Sequence, residues 1–246
     1  MCTVTYIPQP EGSFILTSNR DESPLRSPEN LSLESHHGRT LLFPKDKGAG
    51  GSWIAASDDK RVACVLNGAF VKHKHLPPYR KSRGLMLVEY FGFPSVNDFA
   101  KRYDFEGIEP FTLILVEGNR PFEIRWDGRS LHHKILEPNE MHIWSSATLY
   151  PPEVQEKRLM WFNRWKEEAS DFSLESIRAF HLHGGEPDPW NGFVMNRNDK
   201  VRTVSVTSVV QESDGFEMIY GDLLRNSEKR MKLAFREALL HARPSH

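Results

Sequence analysis

Apolar and polar residues alternate along this chain in short runs, and most of these runs are paired across turn-forming residues. Residues 3–7 and 13–17 are two such runs, joined by Pro8-Gln9-Pro10-Glu11-Gly12, and predict a hairpin. A second hairpin is predicted for 52–57 and 61–67 across Asp58-Asp59-Lys60. The period then lengthens, predicting helices over 82–91 and 95–103, the latter with Ser95 as cap and Asp98 three positions on. Residues 111–117, 121–126, 130–136 and 142–145 return to strand character. Pro151-Pro152 opens a helix to about Ala169, on which Trp161 and Trp165 share a core face, and 173–182 predicts another. Strands are predicted at 192–196, 202–211 and 216–220. A closing helix is predicted from about Ser227, because Met231, Ala234, Phe235, Ala238 and Leu239 fall at helical spacing.

Paired strands interrupted by paired helices, without βαβ alternation, predict an α+β fold of antiparallel sheets covered by helices. With 246 residues, 39% hydrophobic, the chain is long enough for a sizeable core and is expected to be one domain, 1–246. A net charge of −1 with no single-sign stretch argues against nucleic acid or an anionic membrane as the main partner. No apolar run approaches bilayer length, and no basic and apolar leader precedes Pro8, so cytoplasmic residence is expected. Gly48-Ala49-Gly50-Gly51 lacks the Gly-Lys-Ser/Thr of a phosphate loop, and its glycines instead permit positive φ or a close backbone approach.

The candidate chemistry begins at residue two. Removal of Met1 gives Cys2 both a thiol, near pKa 8.5, and an α-amine, at about 7.7 to 8.0, so the amine can accept the thiol's proton. The first hairpin brings its two open ends together, which makes Cys2 a neighbour of Asn19-Arg20-Asp21, expected just past the second strand. Cys64, inside Val62-Ala63-Cys64-Val65-Leu66, is expected to be a small buried hydrophobe. Eleven histidines include the pairs 36–37, 73–75, 132–133 and 181–183, none at metal-site spacing. Solvated loop histidines are expected, with no metal; His181 and His183 would share a face on an extended segment.

Met1-Cys2, Asn19-Arg20-Asp21-Glu22, Gly50-Gly51-Ser52-Trp53-Ile54, residues 62–67 and Arg80-Lys81-Ser82-Arg83-Gly84 occur in the order and approximate spacing of the NRDE-motif proteins, also called transport and Golgi organisation protein two-like. The resemblance fades in the middle and returns at Arg202-Thr203-Val204-Ser205-Val206-Thr207. That family resembles a branch of the N-terminal-nucleophile (Ntn) hydrolases, whose fold is an αββα sandwich. It is similar to the choloylglycine hydrolase and penicillin V acylase group, which cleaves amides of N-acylated small molecules.

The resemblance implies that Cys2 is the nucleophile and its α-amine the general base, with Arg20 beside the thiolate. It implies that Asp21 accepts from the amine or holds Arg20, that Asn67 donates to an oxyanion, and that Arg202 is a later active-site arginine. Asn19, Trp53 and Ser146 are the implied substrate-binding positions. Ser146, in Trp144-Ser145-Ser146-Ala147, stands where the amidases carry an asparagine donor, a departure that weakens the case for turnover. Two functions follow as expectations. One is a cofactor-free hydrolase or acyltransferase acting on an amide or thioester of a small acylated molecule. The other is a non-catalytic carrier of a lipid-like ligand or haem in the same pocket, as links of family members to lipid homeostasis and haem mobilisation imply.

Overall fold

The computed structural model describes residues 3–237; Cys2 and the helix-patterned Ala238 and Leu239 lie outside the described residues. Chain order runs β1 (Thr3–Pro8), β2 (Phe14–Glu22), β3 (Leu31–His36), β4 (Arg39–Pro44), β5 (Ile54–Ser57) and β6 (Arg61–Asn67), then α1 (Arg83–Tyr90) and α2 (Val96–Arg102). Strands β7 (Phe111–Glu117), β8 (Arg120–Trp126), β9 (Leu131–Ile135) and β10 (His142–Ser145) follow, then α3 (Pro152–Glu168) and α4 (Leu174–His183). The last strands are β11 (Asn196–Arg197), β12 (Val201–Gln211), β13 (Gly215–Asp222) and β14 (Ser227–Ala234). Ser82, Ser95 and Ser173 cap α1, α2 and α4 with their hydroxyls, and α3 starts on Pro152, so the helix starts are set by local chemistry.

Two antiparallel sheets result. The first has the order β10-β1-β2-β12-β13-β14, with β11 added to β12, and the second is the meander β3 to β9. Strand alternation gives the first sheet two different faces. Ile7 and Ile15, cross-strand partners, pack with Trp161, Phe162, Ile177 and Phe180 of α3 and α4. Val4, Tyr6, Phe14 and Leu16 turn the other way into the core shared with the second sheet, whose β5 and β6 carry α1. This α+β arrangement of sheets and helices has the layering expected of an αββα sandwich.

Four segments depart from the predicted elements. Strand β2 continues to Glu22 because β12 pairs along its whole polar end, so Asn19, Arg20 and Asp21 lie inside a strand rather than past one. Hairpin β3–β4 has no predicted counterpart; its signal is the alternation of Leu31 and Leu33 before His37-Gly38, both at positive φ in a two-residue turn. The helix predicted from Ser227 is instead β14. Met231, Leu233 and Phe235 also fall at period two, and pairing with β13 buries Leu233 and Phe235. The strand predicted over 192–196 shrinks to Asn196–Arg197, because the carbonyls of Asn191, Gly192 and Phe193 accept from side chains instead of from a neighbouring strand.

Gly51 and Gly84 make the close approach that the glycine run permits. A Cβ on Gly51 would lie 2.3 Å from the Gly84 carbonyl carbon, while Ser52 N–H donates to Gly84 O at 3.2 Å. This contact seats the start of α1 against the entry to β5. Gly51→Ala is expected to lower the unfolding free energy by about 1 to 3 kcal/mol, as overpacking does. Gly48→Ala, where the nearest atom is 3.4 Å away, is expected to stay near wild type; parallel urea titrations compare the two.

Candidate active site

Alternation along β2 divides Asn19-Arg20-Asp21-Glu22 between two environments. Arg20 and Glu22 turn inward between the sheets, while Asn19 and Asp21 turn toward α3 and α4. A register shift in β12 between Thr203 and Ser205, opposite Asp21 and Arg20, adjusts the aim of both sides at this point.

On the inner side lies a cavity of about 360 Å³, lined by Arg20, Glu22, Trp53, Asn67, Arg83 and Glu109 among others. Arg20 is 3% exposed. Its guanidinium lies 4.2 Å from the Trp53 ring centroid, donates to Arg26 O at 2.8 Å and pairs with the Asp46 carboxylate. Burial pulls its pKa down, while Asp46 and Glu22 oppose that pull. Asp46 in turn accepts from the backbone N–H of Gly48 and Ala49, both at 2.8 Å, and from Arg26 at 2.9 Å. Burial pushes its carboxyl up, but these donors and the two guanidiniums outweigh it and hold the carboxyl below the usual range.

The opposite wall comes from the entrance to α1. Arg83 pairs with Glu109 at 3.0 Å and donates to Pro110 O at 3.1 Å. Glu109 also meets His73 Nε2 at 3.0 Å and His75 Nδ1 at 3.2 Å. Burial raises its carboxyl, and Arg83 and the two histidines more than reverse this, leaving it lowered. Lys81, Tyr79 and Arg26 complete a wall in which cations and anions nearly balance. Such a lining suits a small polar molecule more than an extended apolar one.

The implied site residues separate accordingly. Arg20, Trp53 and Asn67 line the cavity together. Asn67 sits at the end of β6, and its side-chain amide makes no hydrogen bond to the described residues, whereas its carbonyl accepts from Ser146 Oγ at 2.8 Å. Ser146 is therefore spent as a tie between the two sheets and does not line the cavity. Asp21 does not hold Arg20, since Asp46 does; Asp21 accepts from Tyr150 at 2.7 Å and Thr203 at 2.5 Å behind the sheet. Asn19 is likewise behind it, donating to His181 O and Phe193 O. Arg202 stands 3.5 Å from Asp199 and away from the cavity lining. Cys2 lies outside the described residues, but Thr3 pairs opposite Asn19 in β1.

His181 is fully buried on α4, not solvated, with Nε2 2.8 Å from Thr5 Oγ1 and Nδ1 on Asn19 Oδ1. Burial, reinforced by Arg178 and Arg158, pushes it down to about 3 and keeps it neutral. It shares no face with His183, because two residues apart on a helix do not point together. Cys64 is a free buried thiol pushed up to about 12 by burial. Among the described residues no cluster of three or more His, Cys, Asp or Glu side chains could hold a metal, and no helix is long and apolar enough to cross a membrane. Sequence reasoning missed Asp46, Arg26 and Glu109; for Asp46 the signal is an aspartate just before a glycine-rich turn.

A family model described as Transport and Golgi organisation 2 matches residues 1–177. A search of curated protein sequences finds no match. Among solved structures, two variants of a conjugated bile acid hydrolase from Clostridium perfringens are similar at TM-score 0.60. One is 9% identical and covers 94% of this chain and 92% of its own; the other is 10% identical and covers 95% and 92%. A Caenorhabditis elegans ortholog of N-acylethanolamine-hydrolyzing acid amidase has TM-score 0.49 and 13% identity, over 85% of this chain and 92% of its own. At 9 and 10% identity the likeness to the two hydrolase structures is one of fold, and that fold is Ntn-hydrolase-like.

Asp46→Ala leaves Arg20 buried without its carboxylate and is expected to cost about 3 to 5 kcal/mol of stability by denaturant titration. Because the folded pKa of Asp46 is lowered, its stabilisation is complete above the unfolded aspartate value of about 3.9 and is lost as pH falls through the lower folded value. The gap between wild type and Asp46→Ala should therefore narrow below about pH 4. A constant gap down to pH 2 would contradict the pairing.

Proposed function

The chain belongs to the Transport and Golgi organisation 2 family, and we propose that it is a cysteine Ntn hydrolase or acyltransferase acting on an amide or thioester of a small, polar, acylated molecule. The observation that carries this reading is the register of β1 on β2. Thr3 lies opposite Asn19, so the residue covalently attached to Cys2 is one position from Arg20, whose guanidinium lines the cavity. The fold shared with the conjugated bile acid hydrolase of Clostridium perfringens supports the same chemistry.

In this mechanism the α-amine of Cys2 takes the thiol proton, and Sγ adds to the substrate carbonyl carbon. The fixed charge of Arg20 favours the thiolate. The tetrahedral oxyanion accepts a hydrogen bond from the Asn67 amide, a group with no other partner among the described residues. Collapse breaks the C–N or C–S bond, and the ammonium returns its proton to the leaving group. Water, or an acceptor amine in the transferase case, then attacks the thioester and releases Cys2. The carrier alternative finds less support in this cavity, since Arg20, Arg26, Asp46, Glu22 and Glu109 line it and neither a histidine nor a cysteine of the described residues does.

Intact-mass measurement should find Met1 absent, because a retained methionine puts the free amine on the wrong residue. An electrophilic acyl probe should then label Cys2, and Cys2→Ala should abolish labelling. Equal labelling of that variant would sink the reading. Asn67→Ala is expected to lower kcat by ~10² to 10³ with KM little changed, the signature of a transition-state donor.

A further inference from the structure

Behind the first sheet, opposite the cavity, Thr3, Asn19 and Asp21 face a second buried polar cluster, and its centre is an arginine. Arg158 projects from α3 and is 0% exposed. Its guanidinium donates to Thr3 Oγ1, to Asn191 O at 3.0 Å and to Gly192 O at 2.6 Å. It also lies over Tyr150, 3.6 Å from the ring centroid, and Tyr150 donates to the Asp21 carboxylate at 2.7 Å. Thr203 holds the other Asp21 oxygen.

Burying a guanidinium is costly, and the helix around it packs through Trp161 and Phe162, so hydrophobic packing alone does not call for an arginine here. What the residue adds is a rigid planar fork. That fork joins three segments remote in sequence: the beginning of β1, the turn before β11 and, through Tyr150, the polar end of β2. The bond to Thr3 reaches the start of β1, and those to Asn191 O and Gly192 O hold the guanidinium that makes it. The geometry points to Arg158 as a positioning residue that clamps the start of β1 through Thr3 and the Asp21 carboxylate through Tyr150, and thereby sets the reactivity of Cys2. The effect on Cys2 rests on the proposed reaction; the clamp itself does not.

The test uses the full chain and three variants. Thr3→Val keeps the shape of the side chain and removes the hydroxyl, Thr3→Ser keeps the hydroxyl, and Arg158→Lys keeps the charge without the fork. Iodoacetamide alkylation of Cys2 is followed by mass spectrometry across pH, and hydrogen exchange is followed over residues 3–8. Buried Cys64 stays unlabelled unless a variant unfolds. Thr3→Val and Arg158→Lys are expected to slow Cys2 alkylation ~10-fold or more, as loss of positioning does. They should also move the midpoint of its pH profile upward and speed exchange at the start of β1, with the second sheet unchanged. Thr3→Ser should retain the wild-type rate. Should Arg158→Lys fail to fold, Thr3→Val against Thr3→Ser decides alone. Wild-type alkylation and exchange in Thr3→Val would overturn the proposal. A wild-type Cys2 no more reactive than an unfolded thiol would overturn the proposed reaction instead, and exchange would still decide the clamp: equal protection in Thr3→Val refutes it, and lost protection upholds it.

Discussion

Strand β2 carries Asn19, Arg20, Asp21 and Glu22 in succession through the middle of a sheet, and a strand must send successive side chains to opposite faces. The four polar groups therefore enter two separate interiors. Arg20 and Glu22 need partners between the sheets, and Asn19 and Asp21 need partners beneath the helices. Much of the surrounding structure can be read as the answer to those two demands. Asp46 and the turn around it, with Arg26, answer the first; His181, Tyr150, Thr203 and the Phe193 carbonyl answer the second.

The two answers differ chemically. Between the sheets, Arg20 meets a full carboxylate, and the desolvation of both ions is offset by Coulomb attraction, by two backbone N–H groups on Asp46 and by the face of Trp53. The result is a polar cavity with its charges already fixed, suited to electrostatic work on a bound molecule. Beneath the helices, His181 is held neutral by burial, and backbone carbonyls and hydroxyls make up much of the partner set. That side is a rigid support, and the cavity is the place where a ligand can enter. Ser146 belongs to the support as well, since its hydroxyl ties the ends of β6 and β10 together.

Legibility in the sequence followed the range of the forces involved. Hairpins β1–β2 and β5–β6, the Ser95 cap of α2 and the aromatic face of α3 depend on neighbours a few residues apart, and they were readable. So was the grouping of Arg20, Trp53 and Asn67, through family resemblance. Strand β14 was misread because Met231, Leu233, Phe235, Ala238 and Leu239 satisfy two periods at once in part, and only pairing with β13 selects period two. Asp46 was missed because its partner Arg20 is 26 residues away. His181 was misjudged because its burial depends on Thr5 and Asn19, more than 160 residues upstream.

By itself, then, the sequence determined the elements whose signals are local, the α+β class, and a short set of polar residues too unusual for a plain strand. Which face each of those residues occupies, which charge it meets and which hydroxyl is free to act were decided only by tertiary structure. The physical reason is that a buried polar group is defined by what satisfies it. For Arg20, Asn19 and Asp21 those partners come from the 46–49 turn, from α4, and from β12 and the segment before α3, brought within hydrogen-bonding distance only when two sheets and a helical layer have packed.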